Sequence, residues 1–399
     1  MSVTEPRPLT RTSIAVVCFA LLTTGCIGGR DTTSVAPGMS SGATASAAAG
    51  SIVPTKPDAS AVAAVPAGRI LFHRSGPDGI EHYFTIKTDG TDEKALYERE
   101  GCECAHWSAD GTHIVTLDAT EDGTYSFTTY RPDGSDRVVL DNPIETLNLA
   151  PGASTPDGRL LAFNGWDETD PSNTGLYIGS PDLSDLRLVT PLLEGWLAVE
   201  PFGVTPDGSK IVFFVETGRD GIVDHAGDLY VINTDGSGLR RLSPPSTLLP
   251  FLNVPAISLS PDGHQAAFGV EDALWVVDLD GGDARPITPR TGFVWAVSWS
   301  PTGEWITYTR FHGPTSVVAL IRPNGTEDHE ISANEETDEA NAAVWSPDGK
   351  FLLVSRDSDA THDGPHDLWI MDLEGHYLGQ VTDEPSNYGT YSWAPATGS

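Results

Sequence analysis

A five-residue turn recurs along this chain, and its spacing limits the fold more than any other feature. One copy is Trp345-Ser346-Pro347-Asp348-Gly349. Pro presets φ, Asp hydrogen-bonds its own backbone, and Gly accepts a positive φ. Strand-like runs flank it, Ala342–Trp345 before and Phe351–Val354 after. Related turns stand at Ser108–Gly111, Thr155–Gly158, Thr205–Gly208, Ser260–Gly263 and Ser300–Gly303, and a last one begins at Ser392-Trp393-Ala394-Pro395. Their separation is about 40–55 residues, the period of a blade-type repeat.

Each repeat continues in the same way. A second strand follows the turn, then a variable loop, then a strand such as Asp228-Leu229-Tyr230-Val231-Ile232-Asn233. An Asp-Gly turn and a short last strand such as Leu239–Ser243 complete the unit. That makes four strands, A to D. Strand C recurs near positions 83, 125, 176, 229, 274, 317 and 368, so the sequence predicts seven units. A four-stranded unit of this kind buries its faces only against copies of itself, and the closed solution is a β-propeller. The expected fold is therefore all-β, a seven-bladed propeller. Arg69–Phe72 reads as a strand B without a strand A before it, and Tyr391–Pro395 as a strand A without a strand B after it. Pairing of the two would close the ring and remove its exposed edges.

These motifs, WSPDG followed by L-W/Y-V-x-D-x-D-G and a short strand ending in L-T, resemble the repeat of TolB-type propellers, which are WD-repeat-like. The resemblance covers about residues 69–395. It implies the fold and leaves the function open, since such propellers occur in TolB, in the regulatory domains of prolyl oligopeptidase-like proteases and in oligogalacturonate lyases. The chain departs from TolB in two ways. A linker stands where TolB has an α/β domain, and seven blades are counted where six are usual.

Ahead of the repeats, Arg7 and Arg11 precede the nine-residue apolar run Ile14–Leu22. The run is too short to span a bilayer and fits the core of a signal peptide. Leu21-Leu22-Thr23-Thr24-Gly25-Cys26 resembles a bacterial lipobox, with Thr23 where Leu is usual. The expected organisation is a lipoprotein signal peptide over 1–25, a lipidated Cys26 with a flexible linker over 26–66, and the propeller over 67–396. The linker is built from Gly, Ala, Ser, Thr and Pro, which cannot bury a core. Its Gly38-Met39-Ser40-Ser41-Gly42 matches the serine-hydrolase elbow only formally, because that chemistry needs a strand-to-helix turn. The expected location is outside the cytoplasm, anchored by lipid to the outer face of the cell membrane or in the cell envelope.

The net charge of −33 would repel nucleic acid and anionic membrane, so no nucleic-acid partner is expected. It serves solubility, or a face for cations or a basic partner. The A–B and C–D turns share one rim and are short. The long B–C and D–A loops share the other, where variable loops on a rigid scaffold carry function. The candidate binding rim comprises Trp166, Asp167, Trp196, Asp224, His225, Asp359, His362 and His366. Several carboxylates beside histidines have the donor types for a divalent cation, yet none follows a Ca²⁺-loop pattern. No cofactor is expected, and any metal is unknown. Cys102 and Cys104 could pair as a disulfide, stay as thiols, or join His106 on one strand face around a metal. Trp107, Trp299, Trp345 and Trp393 precede the turns in register and read as blade-packing core.

No catalytic constellation is legible. The expected function is a membrane-anchored scaffold that binds a cell-envelope protein or glycan, as a monomer. The alternative is a metal-dependent polysaccharide lyase or hydrolase at the mouth of the channel. The chain has no stretch after the propeller for a hydrolase domain, which argues against a peptidase gate.

Overall fold

The computed structural model describes residues 65–75, 80–100, 105–108, 110–119, 125–140, 142–167, 169–217, 226–244, 249–250, 257–270, 273–290, 294–312, 315–331, 339–357, 366–384 and 388–395. They form seven antiparallel sheets in a closed ring. Strands A to D are Tyr388–Trp393, Arg69–Ser75, Ile80–Lys87 and Lys94–Glu100 in blade 1. In blade 2 they are His106–Trp107, Ile114–Ala119, Tyr125–Tyr130 and Val138–Leu140, and in blade 3 Leu147–Ser154, Leu161–Asp167, Gly175–Gly179 and Arg187–Pro191. Blade 4 has Ala198–Val204, Lys210–Glu216, Ala226–Asn233 and Arg240–Arg241, with Leu249–Pro250 as an extra strand on its strand C. Blade 5 has Ile257–Leu259, Gln265–Val270, Ala273–Asp278 and Arg285–Pro286. Blade 6 has Val294–Trp299, Ile306–His312, Thr315–Ile321 and His329–Glu330. Blade 7 has Glu339–Trp345, Phe351–Asp357, His366–Asp372 and Tyr377–Gln380. The A strands approach one another across blades and so line the centre.

Strand B of a blade is buried on both faces, which is why it reads as an unbroken apolar run rather than an alternation. In Phe351-Leu352-Leu353-Val354, Leu352 and Val354 pack toward blade 6, while Phe351 and Leu353 pack toward blade 1. Ile211, Phe213 and Val215 likewise face blade 3, and Val212 and Phe214 face blade 5. Every seam between neighbouring blades thus has its own apolar cluster. Each large side chain so buried contributes roughly 1.5–3 kcal/mol.

The repeated turn is one hydrogen-bonded module. In blade 7, Gly349 N donates to Ser346 O (2.9 Å) and Ser346 Oγ donates to Asp348 Oδ1 (2.7 Å). Lys350 N donates to Asp348 Oδ1 (3.2 Å) and Phe351 N to Ser346 Oγ (3.0 Å). The same set recurs around Asp110, Asp157, Asp207 and Asp262, with Thr302 replacing Asp in blade 6. The Ser or Thr that ends strand D is explained too. Its hydroxyl accepts from strand C: Leu229 N to Ser243 Oγ (3.3 Å), Leu274 N to Thr288 Oγ1 (2.9 Å), Leu368 N to Thr382 Oγ1 (3.0 Å).

The ring closes where the sequence predicts. Tyr391, Ser392 and Trp393 pair antiparallel with Phe72, Leu71 and Ile70. Three of the four tryptophans before the turns tie blades together, while Trp299 Nε1 donates to Gly303 O of its own turn. Trp393 Nε1 donates to Val344 O (3.1 Å), Trp345 Nε1 to Ser298 O (3.1 Å) and Trp107 Nε1 to Ser392 O (3.4 Å). Among the described residues no helix is long and apolar enough to cross a membrane.

Candidate functional site: the seam between blades 2 and 3

One departure from the repeat lies where blade 3 meets blade 2. In blades 1, 2, 4, 6 and 7 a glycine of the C–D turn lies against the backbone of the blade before it, whereas Gly281 and Gly282 of the blade 5 turn have open space beside them. At Gly375 of blade 7 an added Cβ would stand 1.9 Å from Ile331 O, and at Gly236 of blade 4 it would stand 2.7 Å from Val189 O. The turn of blade 3 is Ser180-Pro181-Asp182-Leu183, with the same hydrogen bonds. Leu183 occupies the glycine position with φ at +57°. A branched side chain there costs backbone strain. The Leu183 side chain is buried in the apolar cluster between blades 2 and 3.

The outer edge of the seam differs as well. Arg240 and Arg285, the first residues of strand D in blades 4 and 5, pair with Val231 and Val276 of strand C. Each reaches into the next blade's turn: Arg240 Nη2 donates to Asp278 O (2.7 Å) and Arg285 Nη2 to Pro323 O (3.1 Å). Arg187, paired with Ile178, does the same from blade 3 to Thr234 O (2.5 Å). In blade 2 the corresponding residue is Val138, paired with Thr129. It is 46% exposed and offers no donor to the neighbouring turn.

A cavity of about 680 Å³ opens at this seam. Its walls are Val115, Phe127 and Leu140 of blade 2 and Leu161, Phe163 and Leu183 of blade 3. The A–B turns of both blades form the mouth, with Asp110, His113, Asp157 and Arg159, together with Asp182 of the C–D turn. Hydrogen bonds from Ser108 hold the Asp110 carboxyl below its ordinary range. Those from Ser180 and Ser184 bring Asp182 down to about 2. Arg159 and Thr155 bring Asp157 to about 2. All three are therefore anionic at neutral pH, and Arg159 already bonds Asp157. The mouth keeps a negative excess over an apolar interior. A recess of this size, apolar with a few polar groups, has the form of a small-ligand or side-chain site. Nothing in the sequence reading singled it out; the legible signal was Leu183 in a position where other turns carry glycine.

The sequence-predicted rim is partly in view. Trp166 sits half-buried at the opposite end of this same seam, against its apolar cluster. Asp167 is buried, and its carboxylate accepts from Thr169 N (2.8 Å), Asp170 N (3.0 Å), Thr146 Oγ1 (2.8 Å) and Asn173 Nδ2 (3.1 Å). These bonds, led by that from Thr169, hold it well below the usual carboxylate range. Trp196 is half-buried in the next seam, with ring centroids 5.3 Å from Tyr230 and 5.9 Å from Phe213. His366 begins strand C of blade 7, with a buried Nδ1 that has no hydrogen-bond partner. The structure does not bring these four together, since they are spread over blades 3 and 7 and the segment between blades 3 and 4. Cys26, Cys102, Cys104, Asp224, His225, Asp359 and His362 lie outside the described residues. Among the described residues no group of three or more His, Cys, Asp or Glu is placed to hold a metal.

No family model matches the chain. In sequence it is 30% identical over 176 residues to an uncharacterized peptidase, YuxL, of Bacillus subtilis (strain 168), across 42% of this chain and 23% of that protein. It is 27% identical over 216 residues to the Tol-Pal system protein TolB of Anaeromyxobacter dehalogenans (strain 2CP-C), across 47% of this chain and 42% of that one. The matched stretch is thus less than half of either relative. In structure it resembles puromycin hydrolase, with a TM-score of 0.53 and 19% identity over 70% of this chain and 47% of that chain. The fold is that of a TolB-like β-propeller with seven blades, and propellers of this kind occur both in enzymes and in TolB.

Proposed function

We propose that this chain is an exported scaffold that holds a protein partner on a rigid propeller. The observation that carries the reading is the recess between blades 2 and 3: an apolar cavity of about 680 Å³ with an acidic mouth. Partial likeness in sequence to a component of the Tol-Pal system supports a partner that is a protein. The ring is stiff because each blade is buried on both faces, so the recess is a preformed surface and little ordering is lost on binding.

The lipobox-like stretch ending at Cys26 supports attachment of the propeller to a membrane surface by a lipid. Co-purification from native membranes with a tagged chain tests the scaffold. A specific envelope protein retained at stoichiometric yield supports it, and recovery of the chain alone overturns it. Replacing segment 356–366 by Gly and Ser in the same experiment tests the long-loop rim separately. Cys26→Ser should move the chain from the membrane to the soluble fraction; a membrane-bound variant would refute the lipid tether.

A further inference from the structure

The open seam also carries information about what enters it. This inference rests on the scaffold reading and narrows it to one surface and one partner chemistry. We propose that the cleft between blades 2 and 3 receives an extended segment of the partner polypeptide in which large apolar side chains alternate with Lys or Arg.

Three independent features converge on this seam. The first is Leu183, a left-handed residue buried in the seam at the turn position where blades 1, 2, 4, 6 and 7 carry a glycine against the preceding blade. The second is Val138, which stands at the register position that arginine uses to tie blade 3 to 4, blade 4 to 5 and blade 5 to 6. The third is the cavity itself. Loss of the glycine alone would leave a gap that an arginine could still cover. Loss of the arginine alone would leave a closed seam. Together they leave Val115, Leu140 and Leu161 part-exposed along the seam.

The outer border of the cleft is apolar and exposed on both sides. Val138 on blade 2 is 46% exposed, and Leu188 on blade 3 is 37% exposed. Leu188 pairs with Tyr177, so it shares the face that looks toward blade 2. The apolar surface therefore runs from the cavity outward past both strands D, farther than one side chain would need. A strand D is also the free edge of its sheet, where an extended segment can add by backbone hydrogen bonds.

Charge selects the other half of the motif. The Asx turns engage Oδ1 of Asp110 and of Asp182 with the protein's own donors. These bonds hold both groups ionised at the mouth of the cavity. Arg159 is held by Asp157. A cation on the ligand meets two exposed carboxylates at the edge of the recess, each a surface ion pair of modest strength. An anionic segment would meet the same carboxylates as repulsion. The net charge of −33 adds long-range steering of the same sign.

The test uses fluorescence anisotropy of the full chain with three labelled hexapeptides. One carries the core Lys-Phe-Lys-Leu, a second has both Lys replaced by Glu, and a third has Phe and Leu replaced by Ser. Wild type should bind the first and neither of the others. Val138→Arg introduces the tie that blades 3, 4 and 5 make to the next blade and should weaken the first peptide at least tenfold. Asp110→Asn with Asp182→Asn keeps the Oδ1 acceptors of both turns and should weaken it at least fivefold. Lys350→Ala, in the turn of blade 7, should change nothing. Melting curves confirm that each variant is folded, and the double Asn variant keeps the test sharp should Val138→Arg fold poorly. Equal affinity of wild type and Val138→Arg overturns the location. Equal affinity for the Lys and Glu peptides overturns the charge selection. No binding of the Lys peptide up to about 1 mM, the weakest affinity worth about −4 kcal/mol, overturns the motif. An envelope partner that still co-purifies with Val138→Arg sinks the cleft as the docking surface while the scaffold reading stands.

Discussion

The seam between blades 6 and 7 and the seam between blades 2 and 3 are built from the same repeat, yet one is shut and the other open. At the first, Gly375 lies against Ile331 O so closely that a Cβ would fall 1.9 Å from it. At the second, Leu183 holds the same turn position, and a cavity of about 680 Å³ stands beside it. The hydrogen bonds of the two turns are alike: Gly375 N donates to Asp372 O (3.2 Å), Leu183 N to Ser180 O (2.9 Å). One side chain, rather than a different backbone plan, separates them. In a repeat protein each unit is a control for the others, so a site is best sought where one unit breaks a rule that its neighbours keep.

The comparison breaks hardest at Gly375→Leu. The new side chain must displace the backbone of blade 6 and adopt a left-handed conformation, so a loss of about 3 kcal/mol or more is expected in urea unfolding. A loss below about 1 kcal/mol would mean that any seam can open and that Leu183 explains nothing.

A shut seam also keeps water from its polar groups. His73, between blades 1 and 2, is buried, with Nδ1 unpartnered and Nε2 3.5 Å from Glu81 Oε2. Burial lowers its pKa to about 4. The folded state therefore favours neutral imidazole. Stability is fully present above the unfolded value near 6.5 and is lost as pH falls toward 4, by up to about 3 kcal/mol. A second loss follows between about 4 and 2, where depressed carboxylates such as Asp207, at about 2 through its bond from Thr205, take up protons. Melting temperature followed from pH 8 to 2 should show both limbs, and His73→Phe should remove only the first. A profile flat above pH 4 in wild type would mean that seam is wetter than its packing indicates.

Arg240→Ala removes a tie to Asp278 O and Gly282 O. A cost of about 1 kcal/mol is expected, with faster amide exchange in strand D of blade 4 and the turn of blade 5. The smallest effect falls on Val138→Arg, within about 0.5 kcal/mol of wild type, because the position is exposed and apolar. Together the two variants ask whether the arginine tie is what closes a seam, and a large destabilisation by Val138→Arg would show that the seam needs to be open.

Much of the fold was legible. The turn spacing counts the blades, and Tyr391–Trp393 and Ile70–Phe72 identify the strands that close the ring. The tryptophans before the turns were readable as packing residues because they keep register with the repeat. The site was less legible. Trp166 and Trp196 look like free aromatics in sequence, yet both are half-buried in seams. Asp167 looks like part of an acidic cluster, and its oxygens accept bonds from its own loop. Linear sequence lists donors and acceptors but does not show which are already used.

Local chemistry is determined within a few residues, so the sequence alone established the turn, the four-strand unit, the count of seven and the acidic surface. A Ser, Pro, Asp and Gly in order make the same hydrogen bonds wherever they occur. The seam is different, because it depends on residues about 45 positions apart, Leu183 and Val138, meeting across two sheets. Whether a Cβ fits there is a question of distances between backbones that only the closed ring sets, and tertiary structure alone decided that this seam would stand open.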